Sequence, residues 1–304
     1  MRTKILKGVG YPLFFLVCLI FFLVRGFPVQ LIVDDMSRMA QQKLGMKMSM
    51  VSIATLFPNG AEATGVRLAQ EGKEGSPKIT ILLDRLSARI SLFGLLAGRK
   101  DVSFSSDLLG GQVEGRFNLD DEHWDLKARL DAINLGKLNF WPELIEQELD
   151  GKVTGTVDLH VVPKKIKSTR GELALEVVQG RFGNGKAYGV NVPWFGLGKT
   201  QINLSIKKGK AEIKNFKVNS DDIEASLDGY FLLQQKLDNL SAHCRLRFKP
   251  SDEKMKEIRS QIPEELRSMF DSGFDKARGK DGWYRYSMFG RILAGKPQFR
   301  PLKQ

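Results

Sequence analysis

The chain has 304 residues, 42% of them hydrophobic, and carries a formal net charge of +12. That length suits one large or two modest domains, and the apolar fraction is enough for a packed core along most of it. Two cysteines, Cys18 and Cys244, lie far apart with Cys18 inside an apolar run, which excludes a readable disulfide framework.

Arg2, Lys4 and Lys7 precede an uncharged stretch from Val9 to Val24, VGYPLFFLVCLIFFLV. Sixteen residues fall short of the roughly 20 that span a bilayer, but Arg25 can snorkel and Phe27, Val29, Leu31 and Ile32 extend the apolar run. No small residues suit a signal-peptide cut, and Val17 before Cys18 does not suit a lipoprotein cysteine. Residues 1–27 are therefore expected to form a short tail and an uncleaved anchor. The cation bias puts the N-terminus in the cytoplasm and the bulk of the chain in the periplasm. Residues 28–45 follow as an amphipathic helix. Val29, Ile32, Val33, Met36, Ala40 and Leu44 recur at helical spacing, with Pro28 at the start and Gly45 at the end.

Beyond Gly45 the chain reads as strands, giving a mainly β body over 46–304 with a possible subdivision near 163–170. MKMSM alternates, and Asn59–Gly60 is a turn signal. In KITILLDRLSARISL the residues Ile79, Ile81 and Leu83 share one parity. Leu86, Ala88, Ile90 and Leu92 share the other, which predicts a bulge between the two sets. GQVEGRFNL at 111–119 and GKVTGTVDL at 151–159 then repeat one phrase, G-x-V-x-G-x-[FV]-x-L. Each puts apolar residues and glycine on one face and polar residues on the other. Between the two copies NFWPELIEQELDG predicts a short helix, with Pro142 in its first turn and Gly151 just beyond its end. GELALEV, QINLSIKKGKAEIKNFKV, IEASLDGYFLL and SAHCRLRF continue the alternation. Two short helices, DEKMKEIRSQ and PEELRSMF, precede one last strand in GWYRYSMFGRILAGKPQFRP.

Catalytic and metal motifs are not found. His123, His160 and His243 fit no ligand spacing and read as solvent-facing. His243 and Cys244 are adjacent on a strand and point to opposite faces. GLGKT at 196–200 has Pro193 where a phosphate loop needs glycine, and a strand where it needs a helix. Asp120, Asp121 and Glu122, like Asp221 and Asp222, read as turns. Neither an enzyme nor a cofactor is expected. Lys207, Lys208, Lys210, Lys214 and Lys217 lack the aromatic partners of a nucleic-acid surface, so no nucleic acid is expected either. They suit anionic headgroups, an acidic partner, or a solvated edge that resists aggregation.

The order of anchor, amphipathic helix and strands punctuated by G-x-[hydrophobic]-x-G resembles the AsmA-like envelope proteins. Within them it is most similar to the compact type II secretion system protein N family. The matching passages are GMKMSMVSIATLFPNGAEATGVRLAQ, LDGKVTGTVDLHVVP, IKKGKAEIKNFKVNSDDIEASLDGYFLL and FGRILAGKPQFRP. The resemblance implies a large curved antiparallel β-sheet with an apolar interior and a few short helices. It further implies an inner-membrane-anchored periplasmic protein that works with other secretion-system subunits in exporting folded proteins across an outer membrane. Lipid-handling relatives suggest the alternative, a phospholipid-binding or lipid-transfer protein. A dozen strands would reach only about 58 Å, short of an envelope crossing.

If the sheet curls, Val113, Gly115, Phe117, Val153, Gly155 and Val157 are the candidate groove-lining residues. The glycines would then make room either for curvature or for an acyl chain. The simpler alternative is a face closed by its own side chains and helices, because apolar faces are rarely left open.

Overall fold

The computed structural model describes residues 46–70, 79–91, 97–119, 122–139, 141–187, 190–234, 239–262, 276–292 and 297–302, with a few isolated positions. The expected anchor and nearly all of the 28–45 helix lie outside the described residues. Among the described residues no helix is long and apolar enough to cross a membrane.

Alternating sequence becomes one large antiparallel sheet. Its strands, in chain order, are β1 (Lys47–Ser49), β2 (Ser52–Leu56), β3 (Gly60–Gln70), β4 (Ile79–Ile90), β5 (Lys100–Leu108), β6 (Gly111–Leu119), β7 (Trp124–Asn134), β8 (Glu148–Val161) and β9 (Arg170–Gly183). A small side hairpin follows, β10 (Gly185–Ala187) with β11 (Val190–Val192). The main sheet resumes with β12 (Phe195–Lys207), β13 (Lys210–Asn219), β14 (Ile223–Leu232), β15 (Ser241–Pro250), β16 (Tyr284–Arg291) and β17 (Gln298–Pro301). From β3 onward every strand of this sheet pairs with the one before it, while β1 and β2 both pair with β3. The result is a meander, and it runs without a break through residues 162–169, which connect β8 to β9.

Several expectations can be followed residue by residue. The parity switch in β4 is a bulge between Leu83 and Arg85 in its pairing with β5. Further register shifts lie at Leu130/Ile133, Asp150/Lys152, Asn203/Leu204 and Ile213/Lys217. Each bends its strand and tightens the local twist. The helix before β8 is shorter than its sequence suggests: α1 is Trp141–Ile145. Gly151, expected just past that helix, stands inside β8 at the bulge, with φ 134°. The carboxylate of Asp150 takes the Gly151 N–H at 2.8 Å and pairs with Arg181, so its pKa is held below the ordinary carboxylate value, chiefly by Arg181. The closing segment also departs from expectation. It makes two strands, β16 and β17, because pairing stops near Arg291 and starts again at Gln298.

The second helix, α2 (Asp252–Ser260), is capped by Ser251, whose side-chain oxygen accepts from the Lys254 N–H. Asp252 and Glu253 in the first turn and Arg259 in the last suit the helix dipole. Ile258 and the following Ile262 bury against Phe195 at the start of β12. A second cluster gathers Leu109, Ile133, Val153 and Val177, with Leu135 and Leu138 of the turn after β7 packed on it.

Candidate functional site

The register of the meander lines up apolar residues across the strands as well as along them. One row starts at Phe104 in β5 and passes through Gly115, Ala128, Val157 and Leu173 to Leu204 in β12. It continues through Ile213, Gly229 and Cys244 to Met288 and Phe299. In the other direction it reaches Ala88 and Ala61. Thirteen strands contribute to this row without a polar residue. At a strand spacing of about 4.8 Å the row is about 58 Å long. A second row beside it runs through Phe117, Leu126, Leu159, Ile206 and Phe231.

Coverage of this face is uneven. Ile213 and Cys244 are buried, at 9% and 3% exposure, and Phe299 is 43% exposed. The rest of the first row is half-buried. Of the six expected groove residues, Val113, Gly115, Phe117, Gly155 and Val157 are half-buried and only Val153 is buried. All six lie on the apolar face. Gly115 and Gly155 flank β7 from the two sides, opposite Ala128 and Leu130 respectively.

The glycines have a structural reason. A Cβ on Gly155 would land on the carbonyl oxygen of Ala174 and come within 2.8 Å of Leu175 Cα. A Cβ on Gly115 would land on the carbonyl of Lys127 and come within 2.8 Å of the Phe104 ring. In both cases the space a side chain would need is held by a neighbouring strand. These glycines permit close backbone approach, and they do not clear a lane for a ligand.

On the opposite face Lys207, Lys208, Lys210, Arg245, Arg247 and Arg285 gather around a concavity of about 1010 Å³. Glu212 and Asp228 also line it, pairing with Lys214 at 2.7 Å and Arg247 at 3.2 Å. Lys214 holds the Glu212 pKa below its ordinary value. The basic run of β12 and β13 is therefore the polar face of the sheet, separated from the apolar rows by the thickness of the backbone. Lys217 lies on the same strand and lines a neighbouring depression.

GLGKT opens β12, and Lys199 pairs with Glu176 at 3.1 Å, so this stretch is strand and not a phosphate loop. Asp222 sits in a turn and accepts the Gly196 N–H at 2.6 Å. His243 is exposed and stacks on Tyr230, while Cys244 beside it is buried, its thiol donating to the Tyr230 carbonyl at 3.6 Å. Burial pushes the Cys244 thiol pKa up. The other two histidines depart from the solvent-facing expectation: His123 and His160 are half-buried and meet at Asp125. Sequence spacing missed them because His160 lies 35 positions from Asp125. The available signal was His123-x-Asp125, a histidine just ahead of a strand and a carboxylate inside it. No protein-family model, curated protein or solved structure matches this chain.

Proposed function

We propose that this chain is an inner-membrane-anchored periplasmic component of a type II protein secretion system, acting as a structural and interaction subunit. The observation that carries the reading is the thirteen-strand apolar row. A contiguous, half-covered apolar strip of that length marks an interaction surface, because soluble proteins seldom leave one to water. The bulges and the close-packed glycines support a curled sheet, as the likeness to AsmA-like proteins implies. No catalytic constellation accompanies the row among the described residues, and the reading assigns the chain no reaction.

A second reading, binding or transfer of phospholipid, is favoured by the same row. Apart from the sulfur of Cys244 and Met288 and the bare glycines, its side chains are aliphatic or aromatic, which suits acyl chains laid across the strands. The cationic concavity does not assist, since it occupies the opposite face.

One experiment separates the readings. A photo-crosslinking amino acid is placed at Phe117, and as a control at Arg116 on the polar face, in the full chain in cells. An adduct of protein mass from Phe117 alone supports the secretion subunit. An adduct of lipid mass supports the second reading. Equal or absent adducts at both positions would reject both, and leave a closed core.

A further inference from the structure

Asp125 in β7 stands directly opposite His160 in β8, and His123, just ahead of β7, precedes Asp125 by two residues. His160 Nδ1 lies 2.6 Å from Asp125 Oδ1. His123 Nε2 lies 3.9 Å from Asp125 Oδ2, and the two imidazole rings are 5.0 Å apart. One donor atom from each residue falls within 4.8 Å of the others. The side chains are 34%, 41% and 26% exposed for His123, Asp125 and His160, so the cluster is sheltered but reachable. It lies on the polar face, away from the apolar rows.

Charge pairing alone accounts poorly for this arrangement. The next cross-strand position on that face is an ordinary ion pair, Lys127 with Asp158 at 3.1 Å. At Asp125 two imidazoles share one carboxylate instead. A single divalent cation satisfies all three groups at once. Arg170, in register with His160 on β9, and Asn118, in register with Asp125 on β6, are the neighbouring polar side chains.

We propose that His123, Asp125 and His160 form a three-ligand site for a zinc-class divalent metal, with the fourth position open to solvent. Two neutral imidazoles and a carboxylate are the donors such an ion prefers. Tetrahedral zinc bonds of about 2.0–2.2 Å set neighbouring donors about 3.4 Å apart, so the widest separation here, up to 4.8 Å, must close and the 2.6 Å His160–Asp125 contact must open. His123 can supply that movement, because it precedes β7 and lies outside the strand ladder. The bound metal ties His123, just ahead of β7, to β8.

The test uses the full chain in detergent, purified through a tag without histidine, with Zn²⁺ by calorimetry and Co²⁺ by visible absorption. One equivalent of Zn²⁺ should bind, and Co²⁺ should give the d–d bands of a low-coordinate N/O site. His123→Asn, Asp125→Asn and His160→Asn should each weaken binding at least about tenfold. His243→Asn should leave it unchanged. His160→Cys keeps a ligand and should restore binding, with a new sulfur-to-cobalt charge-transfer band. That band also shows that loss in the asparagine variants is loss of a ligand and not of the fold. The proposal fails if no stoichiometric binding occurs, or if the three asparagine variants bind as well as the parent.

Discussion

Gly155→Ala is the sharpest test of how the sheet is built. The added methyl meets the Ala174 carbonyl oxygen and lies within 2.8 Å of Leu175 Cα and 2.9 Å of Leu175 Cδ2. Real Cβ atoms do not approach so closely, and the first two obstacles are backbone, so β8 and β9 must part locally. Overpacking of this kind costs about 1–3 kcal/mol. Alanine returns about 0.5–1 kcal/mol, because it loses less backbone entropy than glycine in a strand. From the middle of these ranges the net loss is about 1 kcal/mol, or about 2–4 °C in Tm for a body of this size. Thermal melting of the full chain, followed by the far-ultraviolet strand signal, measures it. Trimming the one side chain involved, with Leu175→Ala in the same background, should not restore Tm. An unchanged or raised Tm for Gly155→Ala would refute the close-approach account, and a rescue by Leu175→Ala would move the cause to side-chain crowding.

Three further outcomes follow from the same structure. Val153→Asp puts a carboxylate into the cluster of Leu109, Ile133 and Val177 and should cost several kcal/mol or prevent folding; Lys152→Asp, exposed next door, should stay within about 0.5 kcal/mol. Equal effects in urea denaturation would invalidate the assigned faces. Asp281 is held at a pKa of about 2, chiefly by its hydrogen bond from Arg285. Its lowered pKa contributes stability above the unfolded value of about 3.9 and loses it as pH falls through about 2. The gap in urea midpoint between parent and Asp281→Asn should therefore narrow from pH 4 to pH 2. A reporter fused after Gln304 should be active only when exported, and activity in the cytoplasm would overturn the proposed compartment.

Much of the sheet was legible because period-two alternation reports faces directly. The β4 bulge was legible for the same reason: Ile81 and Leu83 change parity against Leu86 and Ala88. Alternation does not report ends. Glu148 continues β8 back past Gly151, because a bulge absorbs a glycine that otherwise reads as a helix stop. The closing segment split into β16 and β17 across Gly295 and Pro297, which in sequence read as the finish of a single last strand. The repeated phrase announced strands, but the occupant of the space beside its glycines depends on the neighbouring strand, which one strand's sequence does not specify. The same holds for His123, Asp125 and His160. Their meeting depends on the β7–β8 register, beyond the reach of any local spacing.

Because nearly every strand leans only on its predecessor and successor in the chain, the body is close to a one-dimensional array. Stability in such an array is a sum of nearest-neighbour terms, and its contacts are closer in sequence than those of a sandwich or Greek key. Folding can start at any hairpin and spread outward, without first closing a long loop. The same connectivity makes length an adjustable quantity in evolution. Inserting a hairpin at a turn adds two strands and about 10 Å to the row, while the remaining pairs keep their partners. Short and long versions of such a body can thus descend from one another by duplication of hairpins, each step leaving a folded protein.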